Sequence, residues 1–105
     1  MDKLTLQNIT IKENAWIAKL AAARLKSSSM AIVLGKTIYL YGTTRNDFLQ
    51  NTRWVKHEIC HVQQFHREGF LLFLIKYLWE SLRHGYYNNK YEVEARQAEE
   101  KGLGV

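Results

Sequence analysis

One stretch of this sequence decides how the rest is interpreted: His57-Glu58-Ile59-Cys60-His61, which has the pattern H-E-x-x-H. In a helix, residues four apart lie on one face, one turn from each other. His57 and His61 would therefore hold their imidazoles side by side, close enough to bind one metal ion. Glu58 lies about 100° further round the helix than His57, from where its carboxylate can reach a water on that metal. Two neutral imidazoles and a nearby base are what zinc-dependent hydrolysis requires.

The residues around this motif predict an amphipathic helix, roughly Asn51 to Arg67. It follows turn residues in which Asn46 and Asp47 are possible caps. Apolar residues recur at spacings of three and four, as such a helix requires: Trp54, Val55, Ile59, Val62 and Phe65. Gly69 follows as a C-terminal glycine. A bare H-E-x-x-H is short enough to arise by chance, but this context makes an incidental pair of surface histidines the weaker interpretation.

Composition indicates one domain, residues 1–105. The chain is 47% hydrophobic and has a single cysteine, Cys60, which excludes an intrachain disulfide. Its net charge is +5, but the basic residues are scattered, which favours a solvated surface over a nucleic-acid-binding one. The N-terminus lacks a signal-peptide core, and the most apolar run, Phe70 to Ile75, is too short to span a membrane. We therefore expect a soluble, cytoplasmic protein without a nucleic-acid partner.

The segments before the motif predict strands and a helix. Partial alternation in Met1–Asn14 indicates a short strand or an extended arm. The Ala-rich segment Ala15–Lys26 is typical of a helix, with Asn14 as its N-cap. Two β-rich runs, Met30–Leu34 and Thr37–Gly42, flank Gly35-Lys36 and predict a hairpin.

The segments after the motif predict two more helices. Phe70–Arg83 is apolar almost all the way round, which is typical of a helix buried in the core or in a partner contact, such as a dimer interface. Tyr86-Tyr87-Asn88-Asn89 is rich in turn residues, and Lys90–Lys101 predicts a charged helix. We therefore expect an α+β fold with a short β-hairpin or antiparallel sheet, the motif helix, a hydrophobic backing helix and a C-terminal helix that carries the glutamates.

A catalytic zinc usually has three protein ligands, so the two histidines need a third. His66 lies about 180° from His57 on the same helix and cannot reach the same ion unless the helix ends early. The pattern H-E-x-x-H-x-x-G-x-x-H is absent, because Gln64 and Arg67 stand where its glycine and third histidine would be. The remaining candidates are His84 and, in the last helix, Glu92 and Glu94.

The pattern H-E-x-x-H, followed downstream by E-x-x-A in Glu92 to Ala95, resembles the gluzincins, zinc peptidases whose third ligand is a glutamate. The small single-domain members, the minigluzincins, have about this length. The resemblance covers the chain from the hairpin to Arg96. It implies that His57, His61 and Glu92 bind zinc and that Glu58 is the general base, with Glu94 as the alternative ligand. Related families have E-x-x-A-D, and Arg96 in place of that aspartate leaves open which group orients the histidines.

The resemblance implies a zinc-dependent metallopeptidase with a zincin-like fold, in which a hydrophobic helix backs the motif helix. Its substrate would be a peptide or protein that pairs with an edge strand, for which Thr37–Tyr41 is expected. Tyr86 or Tyr87 could donate to the oxyanion, with aromatic packing as the other role.

Other functions remain open at this point. The alternative to a peptidase is a zinc-binding regulatory protein of the same fold, and a third class is a binding module whose histidines are incidental. The tail Gly102–Val105 is expected to be a terminus with no role, and the alternative is a latent enzyme with this tail in its cleft. A chain that ends at Lys101 would then cleave peptides faster than the full chain.

Overall fold

The protein has an α+β fold, and the computed structural model describes its residues 8–101. Three strands and five helices follow one another in that range: β1 (Thr10–Lys12), α1 (Trp16–Leu25), β2 (Met30–Leu34), β3 (Thr37–Tyr41), α2 (Arg45–Gln50), α3 (Thr52–Glu68), α4 (Phe70–Asn88) and α5 (Lys90–Ala98). The tail Gly102–Val105, and with it the proposed latency, lies outside the described residues, as does Met1–Gln7.

The three strands form one mixed sheet in the order β1-β3-β2, and not the antiparallel sheet that was expected, because β1 pairs in parallel with β3. The predicted hairpin is confirmed, with Met30 opposite Tyr41 and Leu34 opposite Thr37. The expectation that Thr37–Tyr41 is an edge strand is wrong, because β1 pairs in parallel with the other side of β3 and places Thr10 opposite Thr37. The sheet edge on the hairpin side therefore belongs to β2.

Helix α1 begins at Trp16, one residue later than predicted. Asn14 has a φ of 51°, in the left-handed region, and the N-cap is Ala15, whose side chain cannot cap. The backbone N–H of Ala15 donates instead to the carbonyl of Leu40, at 2.9 Å. The predicted cap is wrong because Asn14 makes the turn that brings the chain back to β3.

The motif helix α3 begins and ends one residue later than predicted, at Thr52 and Glu68. The predicted caps Asn46 and Asp47 are wrong, because both lie inside the short helix α2. The side chain of Asn51 accepts from the N–H of Trp54, and Gly69 ends the helix with a φ of 87°. A separate short helix, α2, precedes it with Thr44 as N-cap. The apolar face of α3 packs on the sheet in a core that contains Ile9, Ile38, Leu40, Phe48, Val55, Ile59 and Val62. That packing fixes the orientation of the two motif histidines.

Helix α4 differs most from expectation, because only one of its faces is buried. Phe73 is 2% exposed and packs against Phe65 and Tyr91, at ring-centroid distances of 4.5 and 4.9 Å. Most of the other large apolar side chains of α4 are more than half exposed. The predicted end of the helix at Gly85 is confirmed by a break there, with φ of 80° and ψ of 163°, but a second helical segment follows as far as Asn88, over residues predicted as a turn. In the described part of the chain, no helix is long and apolar enough to cross a membrane.

We expect Phe73→Ala to lower the free energy of unfolding by about 3–5 kcal/mol, because it leaves a cavity among Phe65, Tyr77 and Tyr91. Leu71 lies on the same helix but is 67% exposed, so Leu71→Ala should cost less than about 0.5 kcal/mol. Urea unfolding of both variants measures the difference. Equal losses would show that α4 packs in some other way.

Candidate metal centre

Three of the residues proposed from the sequence meet at one point of the structure. His57 and His61 lie one turn apart on α3, with ring centroids 5.1 Å apart. Glu92, in the first turn of α5, places Oε1 at 3.0 Å from Nε2 of His57 and Oε2 at 3.2 Å from Nε2 of His61. The potential ligand atoms of the three residues all lie within 4.8 Å of one another. Two imidazole nitrogens and one carboxylate form the donor set that a catalytic zinc uses.

Helix α5 is held in place by the buried side chain of Asn89. This amide accepts from the N–H of Tyr91 at 2.8 Å and donates to the carbonyl of Tyr77 at 3.0 Å and to Oγ of Ser81 at 2.9 Å. Ala95, which is fully buried, lets α5 approach closely to its neighbours. The start of α5 is therefore fixed on α4, and Glu92 is held 3% exposed beside the histidines.

The ring of His61 is oriented by Gln64, a fully buried side chain. The amide nitrogen of Gln64 donates to the carbonyl of Tyr91 at 3.0 Å and to Oε1 of Glu94 at 2.8 Å. Its oxygen therefore faces His61 and accepts from Nδ1, at 2.9 Å. This arrangement keeps a proton on Nδ1 and turns Nε2 towards Glu92, which is how metal-binding histidines are usually held.

The ring of His57 is oriented in the same way by Glu99. Nδ1 of His57 donates to Oε2 of Glu99 at 2.8 Å, and the other carboxylate oxygen pairs with Arg53 at 3.1 Å. Sequence reasoning missed Glu99, although it follows Glu92 by seven residues, almost two full turns along the same side of a helix. Gln64 was missed as an orienting group in the same way, three residues after His61.

The other candidate ligands lie away from this cluster. Glu94 points to Gln64 and Arg67, whose guanidinium pairs with its carboxylate at 3.1 Å. His66 and His84 are exposed.

Arg96 binds Tyr87, since it donates to the Tyr87 carbonyl at 2.6 Å and lies 4.0 Å from the centroid of that ring. Packing is therefore the role that these contacts give to Tyr87.

The electrostatics of the cluster favour a positive charge. Burial opposes the charged form of His61, but its hydrogen bond to Glu92 and the charge of Glu58 outweigh burial and raise its pKa to about 9. Burial also opposes ionisation of Glu92, yet hydrogen bonds from His57 and His61 hold its pKa far below the usual range. The buried carboxylates therefore favour positive charge at this point, either as a proton on His61 or as a metal ion that replaces that proton.

Glu58 lies beside the cluster and is not one of the three grouped ligands. Its side chain is only 6% exposed, and burial raises its pKa to about 7 against the opposing charges of His61 and His57.

Tyr77 donates a hydrogen bond to Oε2 of Glu92, which helps to fix that carboxylate. Burial and the charge of Glu94 raise the pKa of the Cys60 thiol to about 12, so Cys60 is a poor nucleophile at neutral pH.

Two cavities meet at the cluster and form one cleft beside β2. The first, of about 260 Å³, is mainly apolar and lies between α1 and α4, and its lining includes Leu25, Ile32, Phe73, Leu74 and Leu78. The second, of about 500 Å³, is more polar and extends past Trp54 and Glu99. Both are lined by His57, Glu58 and Tyr86, and by Met30 and Ala31 of β2. A bound molecule could therefore lie along β2 and pass the cluster.

Comparison with protein-family models, curated proteins and solved structures found no match to this chain.

We expect Glu99→Ala to weaken zinc binding about 10- to 100-fold, because His57 loses the carboxylate that orients it. Glu100 is the matched control, since it pairs with the same Arg53, at 2.6 Å, without a contact to either histidine. Glu100→Ala should leave the zinc affinity unchanged, as measured by competition with a chelating dye. Similar losses in both variants would assign the effect to Arg53 or to general surface charge.

Proposed function

We propose that the protein is a zinc-dependent metallopeptidase. One observation carries this proposal: Nε2 of His57, Nε2 of His61 and the carboxylate of Glu92 converge in the wall of an open cleft. A structural zinc site normally has four protein ligands and no access, whereas a catalytic one has three and faces a cavity. The donor number and the position in the cleft both favour catalysis.

The roles of the residues follow from their positions. His57, His61 and Glu92 would hold the zinc, with Glu99 and Gln64 orienting the two rings. Zinc in such a site makes water acidic enough to act near neutral pH and polarises a carbonyl group. Glu58, which borders both cavities, would take the proton from the attacking water and pass it to the leaving amine. Tyr86, which lines both cavities, is the side chain available to donate to the oxyanion.

The cleft favours an extended peptide as the substrate. The edge of β2 on the cleft side carries backbone groups that can pair with an added strand, from Met30 to Leu34. The sequence placed this role on β3, whose two edges are already paired. The apolar cavity between α1 and α4 would accept a large apolar side chain of the substrate next to the scissile bond.

Peptide cleavage with controlled metal content tests the proposal. We expect the zinc-loaded chain to cleave extended peptides that contain Leu or Phe better than matched peptides with Asp at that position. A chelator should abolish cleavage, and added zinc should restore it. Zinc binding without cleavage of any peptide would support the alternative, a zinc-binding regulatory protein. Absence of zinc binding would reject both functions.

A further inference from the structure

The outward face of α4 is apolar, although it points away from the core. Phe73 and Tyr77 lie on the inward side, and most of the apolar residues on the opposite side are exposed. Their exposed fractions run from 51% to 80%: Leu71, Leu72, Ile75, Leu78, Trp79 and Leu82. Single exposed apolar residues are ordinary, but a continuous apolar helix face marks an interaction site.

Helix α1 has the same character. Its inward face is formed by Ala18 and Ala22, which are buried, while Trp16 and Leu20 on the outward face are 75% and 60% exposed. Both helices border the apolar part of the cleft, α1 through Leu25 and α4 through Leu78. The two apolar faces therefore belong to helices that border the same cleft, next to β2.

The charges around these faces are almost all positive. The segment from Trp16 to Lys36 contains four basic residues and no acidic one, and Lys19 and Arg24 flank the apolar stripe of α1. On α4, Arg83 lies next to the ring of Trp79, with its guanidinium 5.8 Å from the ring centroid. The one acidic residue of α4, Glu80, accepts from the backbone N–H of Lys90. Within residues 8–101, Lys19, Arg24 and Arg83 form no ion pair.

This charge pattern decides between the possible occupants of the surface. In a symmetric dimer the same patch meets itself, so the basic residues of one chain would face the basic residues of the other. An anionic lipid surface meets both requirements, since it accepts apolar side chains below the headgroups and attracts the flanking cations. Trp at the interface and Lys or Arg extending towards the headgroups are typical of such helices.

We propose that α1 and α4 dock the protein on the surface of an anionic lipid bilayer, with Trp16, Leu20, Leu71, Trp79 and Leu82 inserted at the headgroup level. This inference does not depend on the proposed peptidase activity. Because both helices border the cleft, docking would bring the cleft close to the bilayer.

Vesicle binding by the full chain tests this proposal. The probes are vesicles of phosphatidylcholine alone and vesicles in which about a third of the lipid is phosphatidylglycerol. We expect binding to the anionic vesicles, with a blue shift of the tryptophan fluorescence, and little binding to the neutral ones. Each cation near an anionic surface contributes about five-fold to partitioning, so Lys19→Glu with Arg83→Glu should weaken binding at least about 25-fold.

A second variant tests the apolar contribution. Leu71→Gln with Leu82→Gln should weaken binding at least about ten-fold, since both side chains would otherwise be inserted. Both are exposed, so the melting temperature should not change. The matched control for charge is Lys12→Glu, an exposed residue on β1 at the opposite edge of the sheet, and it should leave partitioning nearly unchanged.

Three results would overturn the proposal. The first is no binding to anionic vesicles by the wild-type chain. The second is equal binding by the wild type and the Lys19 and Arg83 variant. The third is that the wild-type chain leaves all vesicles unbound but forms a dimer, or a complex with an acidic amphipathic peptide, which the Leu71 and Leu82 variant does not form. The surface would then bind protein.

Discussion

His61→Ala should leave the chain without bound zinc, whereas the wild-type chain should bind about one ion. His61 is one of three proposed ligands, and its ring is oriented by Gln64 at 2.9 Å, so alanine at this position removes a ligand that is already in place. Loss of a ligand should cost more than the roughly 100-fold effect of losing an orienting partner. Elemental analysis of protein purified without a histidine tag measures this directly.

The control for this variant is His66→Ala. His66 lies on the same helix but is exposed, so its removal should leave the zinc content unchanged. Thermal unfolding gives a second measurement, because zinc at about 100 times its Kd should stabilise a folded site by about 2.7 kcal/mol. His61→Ala should show no such stabilisation. Equal zinc in wild type and His61→Ala would reject the metal centre.

The motif helix could be predicted well because its signals are local. Gly69 ends it, and the apolar spacing before Gly69 defines the face that packs on the sheet. The side-by-side placement of His57 and His61 then follows from helix geometry alone. These features need no knowledge of any other part of the chain.

The edge strand could not be predicted in the same way. The hairpin signal shows that β2 and β3 pair, but it does not show which of the two has another neighbour. That depends on β1, which lies far earlier in the sequence and pairs with β3 across α1 and β2. Under the proposed function, the strand that would pair with a substrate is therefore β2.

The choice between Glu92 and Glu94 depends on packing for a similar reason. The two carboxylates lie roughly 200° apart around α5, so rotation of that helix decides which one faces the histidines. Asn89 fixes the start of the helix, and Gln64 and Arg67 bind Glu94 on the other side. The resemblance to gluzincins favoured Glu92, and the contacts that place it there are between residues distant in sequence.

The exposure of α4 shows what composition leaves undetermined. Its apolar residues predict a preference for burial, but a small domain has room for few such faces in its core. The core on this side is filled by Phe65, Phe73 and Tyr91, and the rest of the helix faces outward. The sequence had indicated a core or a partner contact, and the structure assigns Phe73 to the core.

Glu58→Gln should keep the zinc and the fold but lower kcat/KM for peptide cleavage by about 10²- to 10⁴-fold. The amide has nearly the shape of the carboxylate, so packing beside His57 and His61 should be preserved. It cannot take a proton from water, which is the role that we assign to Glu58. Rates of peptide cleavage and the zinc content of the same preparation are the two measurements.

The matched control for this prediction is Glu68→Gln, the same change on the same helix. Glu68 lies later in α3 than Phe65, further along the helix from the cluster, and pairs with Lys76 at 3.0 Å. It has no contact with either motif histidine. Its activity should stay near that of the wild type. If Glu58→Gln loses zinc, Glu58 is a ligand and the assigned role is wrong. If it keeps both zinc and full activity, another group acts as the base.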